Sequence, residues 1–385
     1  MHVVVVGGGF GGVKAALELS KKQIGKITLI SDESYFLHHA TLYATATGKN
    51  MAESVIPLVS IFANHPNVQV VQDKITAFDP KRHLITGKKD YHYDKLVLAL
   101  GSVTTHFGIE GMQKFSYGIK SLHQINQFQD HIHDELVQQK LDKEYFIIGA
   151  GSTGVEMAGA LSEYLEQLKT LYRLKQTASK VTLVEAAPRI LPQLSTTATA
   201  KVTRQLKKEG IKVLANHKVN ALHKDSIHIE GKQYSTTTAI WTSGVINNPF
   251  FEANKHYFHL ANNGRVNVNP YLEALEDVYV IGDNNSVKYS GTAWPTLGQA
   301  SHVAKNITRL ATKRPQLAFH PKKAPNGIPV TAKWAYVEWF GLYISGRTGA
   351  YARRLMELYG FCQLLPLKQA IPVWRAHDLA AVEDL

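Results

Sequence analysis

Cysteine is all but missing from this 385-residue chain, which carries only Cys362. That scarcity excludes an intramolecular disulfide, a CxxC metal site and a disulfide relay within the chain, and no metal is expected. No run approaches the roughly 20 apolar residues of a membrane span. The chain enters a strand-like run at His2, which leaves no room for an export signal and points to the cytoplasm. Acidic residues are in deficit, 31 against 43 Lys and Arg, for a formal net charge of +12. An excess of that size asks for an anionic counterpart, either nucleic acid or an anionic membrane surface. There is no low-complexity tract. The length is too great for one compact core, so two or three domains are expected.

What is present is a pair of glycine-rich phrases. VVVVGGGFGG contains Gly7, Gly9 and Gly12, and YFIIGAGSTG contains Gly149, Gly151 and Gly154. Each follows an apolar run that reads as a buried parallel strand and opens into a helical pattern. The first glycine permits a tight turn. The second lets backbone approach a pyrophosphate, and the third lets helix pack on strand. Two such units in one chain imply two dinucleotides facing each other, the usual arrangement for hydride transfer from a nicotinamide to a flavin.

The rest of the chain fits an α/β fold with two Rossmann-like dinucleotide-binding domains, the NAD domain inserted into the FAD domain. Val3–Val6, Lys26–Ile30 and Lys95–Leu100 read as strands and Val13–Lys21 as helix. A long helix follows Gly154 towards Tyr172, then a strand over Val181–Glu185. Strand-like runs resume after about 240, including Val278–Ile281. The expected boundaries are 1–111 and 241–320 for the FAD domain, 112–240 for the NAD domain and 321–385 for a C-terminal membrane-facing or dimer-forming segment. That last segment opens with the turn-rich HPKKAPNGIP and then becomes dense in Trp, Tyr, Phe and Arg.

Several side chains suit this chemistry. Glu185 closes the strand after the second fingerprint, where a carboxylate accepts hydrogen bonds from a ribose and repels a 2′-phosphate, favouring NADH. Arg189 nearby works against that preference. In the first unit the ribose ligand is either Ser31 or Asp32. Gly282 and Asp283 follow a strand and read either as a plain turn or as contacts to the ribityl and pyrophosphate region of FAD. Glu156 is assigned to the first turn of the second fingerprint helix. It serves there either as a dipole-favoured carboxylate or as a proton-transfer group at the nicotinamide–flavin junction.

Taken together these phrases resemble the type II NADH:quinone oxidoreductases, a family of two-dinucleotide-domain flavoproteins. The resemblance covers about residues 1 to 310. It rests on LYATATG at 42–48, LALGSVTTHFGIEG at 98–111, GAGSTGVEMAGALSEY at 149–164 and VEAAPRILP at 184–192. WTSGV at 241–245, GRVNVNPYLE at 264–273 and YVIGDN at 279–284 complete it. It implies non-covalent FAD, oxidation of NADH and reduction of a membrane quinone without proton pumping. It also implies peripheral attachment to the cytoplasmic membrane face through C-terminal amphipathic helices, and a homodimer. Nucleic acid drops out as a partner. On this reading Phe10, Gly11, Ile75 and Gly101 join the FAD site, and Gly244 joins the NAD site.

Two departures stand out. The family's AQxxxQQG stretch corresponds here to Ala293–Ala300, where Trp294 and Gly298 replace two polar residues and Gln299 is kept. Trp294 and Gln299 are therefore the expected quinone contacts. The C-terminal region lacks the family's long apolar stretch, but GLYISGRTGAYARRL at 341–355 reads as a turn and then a basic amphipathic helix. Its stripe of Tyr351, Leu355, Leu358 and Tyr359 lies beside Arg353 and Arg354. Sulfide:quinone and disulfide reductases need a cysteine pair and are excluded in their usual form. A soluble reductase of a ferredoxin- or rubredoxin-like carrier, and a nucleotide sensor without turnover, remain as alternatives.

Overall fold

The computed structural model describes residues 1–141, 143–174 and 179–378, so residues 379–385 of the expected C-terminal segment lie outside the described residues. The first fingerprint sits in a six-stranded sheet. Its order is Glu273–Leu275, Val278–Val280, Lys95–Leu98, His2–Val6, Lys26–Ser31 and Val68–Gln72. All neighbours are parallel except the edge pair Glu273–Leu275 and Val278–Val280. The unbroken run Val3–Val6 is explained by cover on both faces. Val3 and Val5 point into the core shared with the helices Phe10–Lys21 and Ala293–Ala311, while Val4 and Val6 face the aromatic cluster of Phe78, Phe250, Phe251 and Phe258.

The second fingerprint sits in a four-stranded parallel sheet ordered Lys212–Ala215, Lys180–Glu185, Glu144–Ile148 and Ala239–Trp241. Residues alternate between two cores in the same way: Tyr145 and Ile147 on one face, Phe146 and Ile148 on the other. The chain passes between the two sheets twice. Those passages, Ser102–Thr104 and Val245–Asn247, pair with each other as an antiparallel ribbon with Val103 opposite Ile246.

The C-terminal region differs from the sequence reading. It forms a three-stranded antiparallel sheet, Asn326–Thr331, Trp334–Trp339 and Leu342–Gly346, followed by helices Arg347–Cys362 and Leu367–Arg375. The expected turn over the start of 341–355 is thus an edge strand. Ile328, Val330 and Tyr336 enter the core of the second unit, and Phe361, Leu364 and Ala370 enter that of the first. The basic amphipathic reading is inverted. Arg353 and Arg354 turn inward to the carboxylates of Glu357 and Glu53, and Tyr351, Leu355 and Tyr359 stay outside. Leu358 packs against the first core. An arginine can enter a protein interior when acids pair with it. A charge pattern on one helix does not reveal acids supplied by another segment.

Candidate active site

The two fingerprints share one geometry. Gly7 has φ +119° and Gly149 has φ +102°, values that side chains disfavour. A Cβ on Gly7 would lie 2.1 Å from the Ala99 carbonyl oxygen, and one on Gly149 would lie 2.0 Å from Ser243 Oγ. A Cβ on Gly12 would lie 1.9 Å from the Gly7 carbonyl oxygen, and one on Gly154 would lie 1.8 Å from that of Gly149. The middle glycines differ from all of these: a Cβ on Gly9 or Gly151 meets nothing within 4 Å. Each middle glycine is the N-cap of its helix, and neither helix carries a side-chain cap. First-turn N–H groups therefore face open space at a positive dipole end, the chemistry of a pyrophosphate cradle. Gly11 packs close to Thr296, and the Phe10 ring meets Phe36 edge-on at 5.0 Å.

At the first unit, Ser31 ends its strand and is buried, its Oγ accepting from the Glu33 N–H at 3.2 Å. Asp32 is exposed. Ile75 packs in the aromatic core. Gly101 donates to Asn284 Oδ1 at 3.0 Å, and Asn284 Nδ2 donates back to the Gly101 carbonyl at 2.7 Å. Asp283 accepts from Ser102 Oγ at 2.8 Å. The Gly282–Asn284 turn, the Gly101 loop and the interdomain ribbon are thus tied together. Asn284 and Asn285 were missed by sequence reasoning; the only signal for them was their position beside Asp283.

Gln299 and Trp294 are not brought together. Gln299 is fully buried. Its Oε1 accepts from the Gly282 N–H at 2.8 Å and from Asn285 Nδ2 at 2.9 Å, and its Nε2 donates to Ser290 Oγ at 2.8 Å. Its amide holds the Gly282 turn. Trp294 is 38% exposed and stacks on Tyr359 at 4.8 Å. Five residues along a helix turn a side chain by about 140°, so the two point to different faces.

At the second unit, Glu185 Oε2 accepts from the Ala150 N–H at 2.7 Å, inside the fingerprint, and Oε1 accepts from the Ala187 N–H at 2.8 Å. Arg189 is engaged by its own neighbouring segment. Its guanidinium donates to Thr199 Oγ1 at 2.8 Å and to the carbonyls of Leu191, Pro192 and Leu194 at 3.2, 2.6 and 3.0 Å. Gly244 is pressed against the ribbon, where a Cβ would lie 2.5 Å from the Thr105 carbonyl oxygen.

Glu156 is the fifth residue of the helix Ser152–Leu171, beyond the first turn. The expected first-turn, dipole-favoured placement is therefore corrected. It is buried against Arg353, Glu357 and Tyr43 and lines a cavity of about 70 Å3. Burial pushes its carboxyl up to about 8, with Glu357 adding to the rise and Arg353 opposing it. At neutral pH it therefore carries a proton. His38, unmarked in the sequence, stacks on Phe361 at 4.4 Å, and burial together with Arg353 pushes its imidazole down to about 3.

The family model of the pyridine nucleotide-disulphide oxidoreductases matches residues 1–306. Among curated proteins, a type II NADH:quinone oxidoreductase of Staphylococcus epidermidis is 27% identical over 380 residues, covering 92% of this chain and 94% of the relative. One of Staphylococcus aureus is 27% identical over 382 residues with the same coverage of each. Among solved structures, NDH2 of Plasmodium falciparum in complex with NADH superposes with a TM-score of 0.86 at 16% identity, over 98% of this chain and 97% of that one. The sulfide:quinone oxidoreductase of Aquifex aeolicus superposes at 0.82 with 19% identity, over 96% and 92%.

Proposed function

The chain belongs to the pyridine nucleotide-disulphide oxidoreductase family, and from that premise we propose that it oxidises NADH through bound FAD and delivers two electrons to a membrane quinone. The observation that carries this reading is the repeated glycine geometry. In each unit two glycines are needed by the fold, and the third, Gly9 or Gly151, leaves open space at an uncapped helix N-terminus. The staphylococcal type II relatives support the quinone as acceptor. The family's disulfide chemistry is unavailable to a chain with only Cys362.

In this reading residues 1–111 and 241–320 hold FAD, and 112–240 hold NADH. Gly7, Gly9, Phe10, Gly11, Gly12, Ser31 or Asp32, Ile75, Gly101, Gly282 and Asp283 form the FAD site. The NADH site comprises Gly149, Gly151, Gly154, Glu185 and Gly244. FAD held in its site would supply the chemistry of accepting hydride from a nicotinamide and passing two electrons on. The protein orients the two dinucleotides by tying the Gly101 loop, the Gly282 turn and the interdomain ribbon together. Glu156 is the proton-transfer group at the nicotinamide–flavin junction, and Trp294 stacked on Tyr359 is the aromatic surface offered to the quinone.

Attachment to the membrane is peripheral in this reading. No helix among the described residues is long and apolar enough to cross a membrane. The exposed apolar groups gather instead at the hairpin tip of Trp339, Phe340, Leu342 and Tyr343 and on Tyr351, Leu355 and Tyr359 of the following helix. Lys201 over the Tyr343 ring and the exposed Arg347 supply positive charge for an anionic surface at the cytoplasmic face. The homodimer stays part of the proposal and is tested by sedimentation of detergent-free protein. The functional test is turnover: NADH oxidation by FAD-loaded protein should be supported by a short-chain quinone. Activity with ferricyanide alone would contradict the quinone assignment.

A further inference from the structure

A buried group of charges lies beside Glu156 that hydride transfer leaves unused. Glu53 has no exposed surface. One of its oxygens accepts from Arg354 at 2.8 Å, and the other pairs with His377 Nδ1 at 2.8 Å. Glu357 pairs with Arg353 at 2.8 Å and with Arg354. Two carboxylates thus meet two guanidinium groups, and their charges cancel. What remains is Glu156 and His377, which line the same cavity. Glu156 also faces Tyr43 from the helix Leu42–Ala46, and Lys49 and Glu163 line the cavity as well.

A buried site tolerates little net charge. With one proton between Glu156 and His377, the group is neutral in both arrangements: a carboxylic acid with a neutral imidazole, or a carboxylate with an imidazolium. Moving the proton from one to the other leaves the net charge at zero, and Arg353 beside Glu156 and Glu53 beside His377 offset the cost of charging the two groups. Arginine stays protonated and cannot relay. The path is therefore the cavity itself, whose volume of about 70 Å3 holds a few water molecules and whose wall offers them Thr47, Lys49, Glu163 and Gln167. The His377 side chain is 15% exposed and Glu156 as a residue is 8% exposed, so His377 is the more accessible of the two to the medium.

Reduction of a quinone by NADH consumes one proton beyond the hydride: NADH, H+ and quinone give NAD+ and quinol. We propose that His377 takes this proton from the medium and delivers it through the cavity to Glu156, which hands it to the quinone. The proposal rests on the quinone reading above, since an electron carrier that takes no proton has no use for such a supply. Glu53 is the positioning residue, holding the imidazole through Nδ1.

The pair is tested first by its coupling in FAD-loaded protein. Infrared difference titration should reveal a protonated-carboxyl band that Glu156→Gln removes. In His377→Gln its midpoint should move to higher pH, because the imidazolium that favours the carboxylate is gone. Activity gives the second readout. The ratio of quinone to ferricyanide turnover should fall about tenfold in His377→Gln and recover on adding imidazole. An unmoved carboxyl midpoint, or an unchanged ratio, alongside working wild-type quinone turnover overturns the proposal alone. A wild-type protein that reduces ferricyanide but no quinone overturns it together with the reading it rests on.

Discussion

Gly159 lies so close to Val330 that a Cβ on the glycine would sit 1.5 Å from the valine carbonyl oxygen. This contact seats the C-terminal sheet on the second fingerprint helix, and it is backbone against helix, so neither side can yield by rotating a side chain. Gly159→Ala is therefore expected to destabilise the protein by about 1–3 kcal/mol or more. Thermal unfolding of the FAD-loaded protein should show a lower midpoint, and limited proteolysis should cut first beyond residue 320. An unchanged midpoint would mean that the sheet is not seated there.

The glycines of each fingerprint should separate by function. Gly12→Ala and Gly154→Ala place a methyl against a carbonyl oxygen inside the protein and should lower stability. Gly9→Ala and Gly151→Ala meet no protein atom, so they should leave the secondary structure intact by circular dichroism. Gly9→Ala should weaken FAD retention and Gly151→Ala should raise the KM for NADH. If all four behaved alike, the open middle positions would not be ligand space.

Glu185 is expected to favour NADH over NADPH by roughly ten- to hundredfold, the effect of about 1–3 kcal/mol of charge repulsion. Glu185→Ser should narrow that ratio. It should not invert it, because Arg189 is already held by four acceptors between residues 191 and 199. Steady-state kinetics with both nucleotides decide this. A wild type that prefers NADPH contradicts the assignment.

The raised carboxyl of Glu156 also links stability to pH. Its native value near 8 lies above the ordinary 4.5, so between those values the native state binds the proton more tightly than the unfolded state does. Stability from this group is full below about 4.5 and is lost as pH rises towards 8 and beyond. The loss is on the order of a few kcal/mol. Glu156→Gln should flatten that decline in urea unfolding measured across the range. A wild-type curve that rises through the same window would place the proton elsewhere.

Both sheets and both fingerprint helices were legible because local pattern determines them: an apolar run, glycines at fixed spacing, then helical periodicity. Sequence reasoning put strands over Lys26–Ile30 and Val181–Glu185, and the structure gives Lys26–Ser31 and Lys180–Glu185. Partners distant in sequence were not legible. Gln299 looked like a survivor of a quinone motif, yet its amide holds Gly282 and Asn285. Arg353 and Arg354 looked like a basic face because Glu53, some 300 residues earlier, carries no mark of its destination. His377 was passed over for the same reason, since its partner Glu53 and its cavity neighbour Glu156 come together only in the fold. The strand Leu342–Gly346 was missed because its Leu-Tyr-Ile run is exposed and lacks the alternation of a half-buried strand.

The most direct test of the account is an anaerobic titration of purified protein followed by its flavin absorbance. The account predicts a yellow protein that releases FAD on heating and bleaches with one equivalent of NADH per flavin. Its oxidised spectrum should return on addition of one equivalent of a short-chain quinone. A colourless protein that cannot be reconstituted with FAD, or a flavin that NADH leaves oxidised, would contradict it.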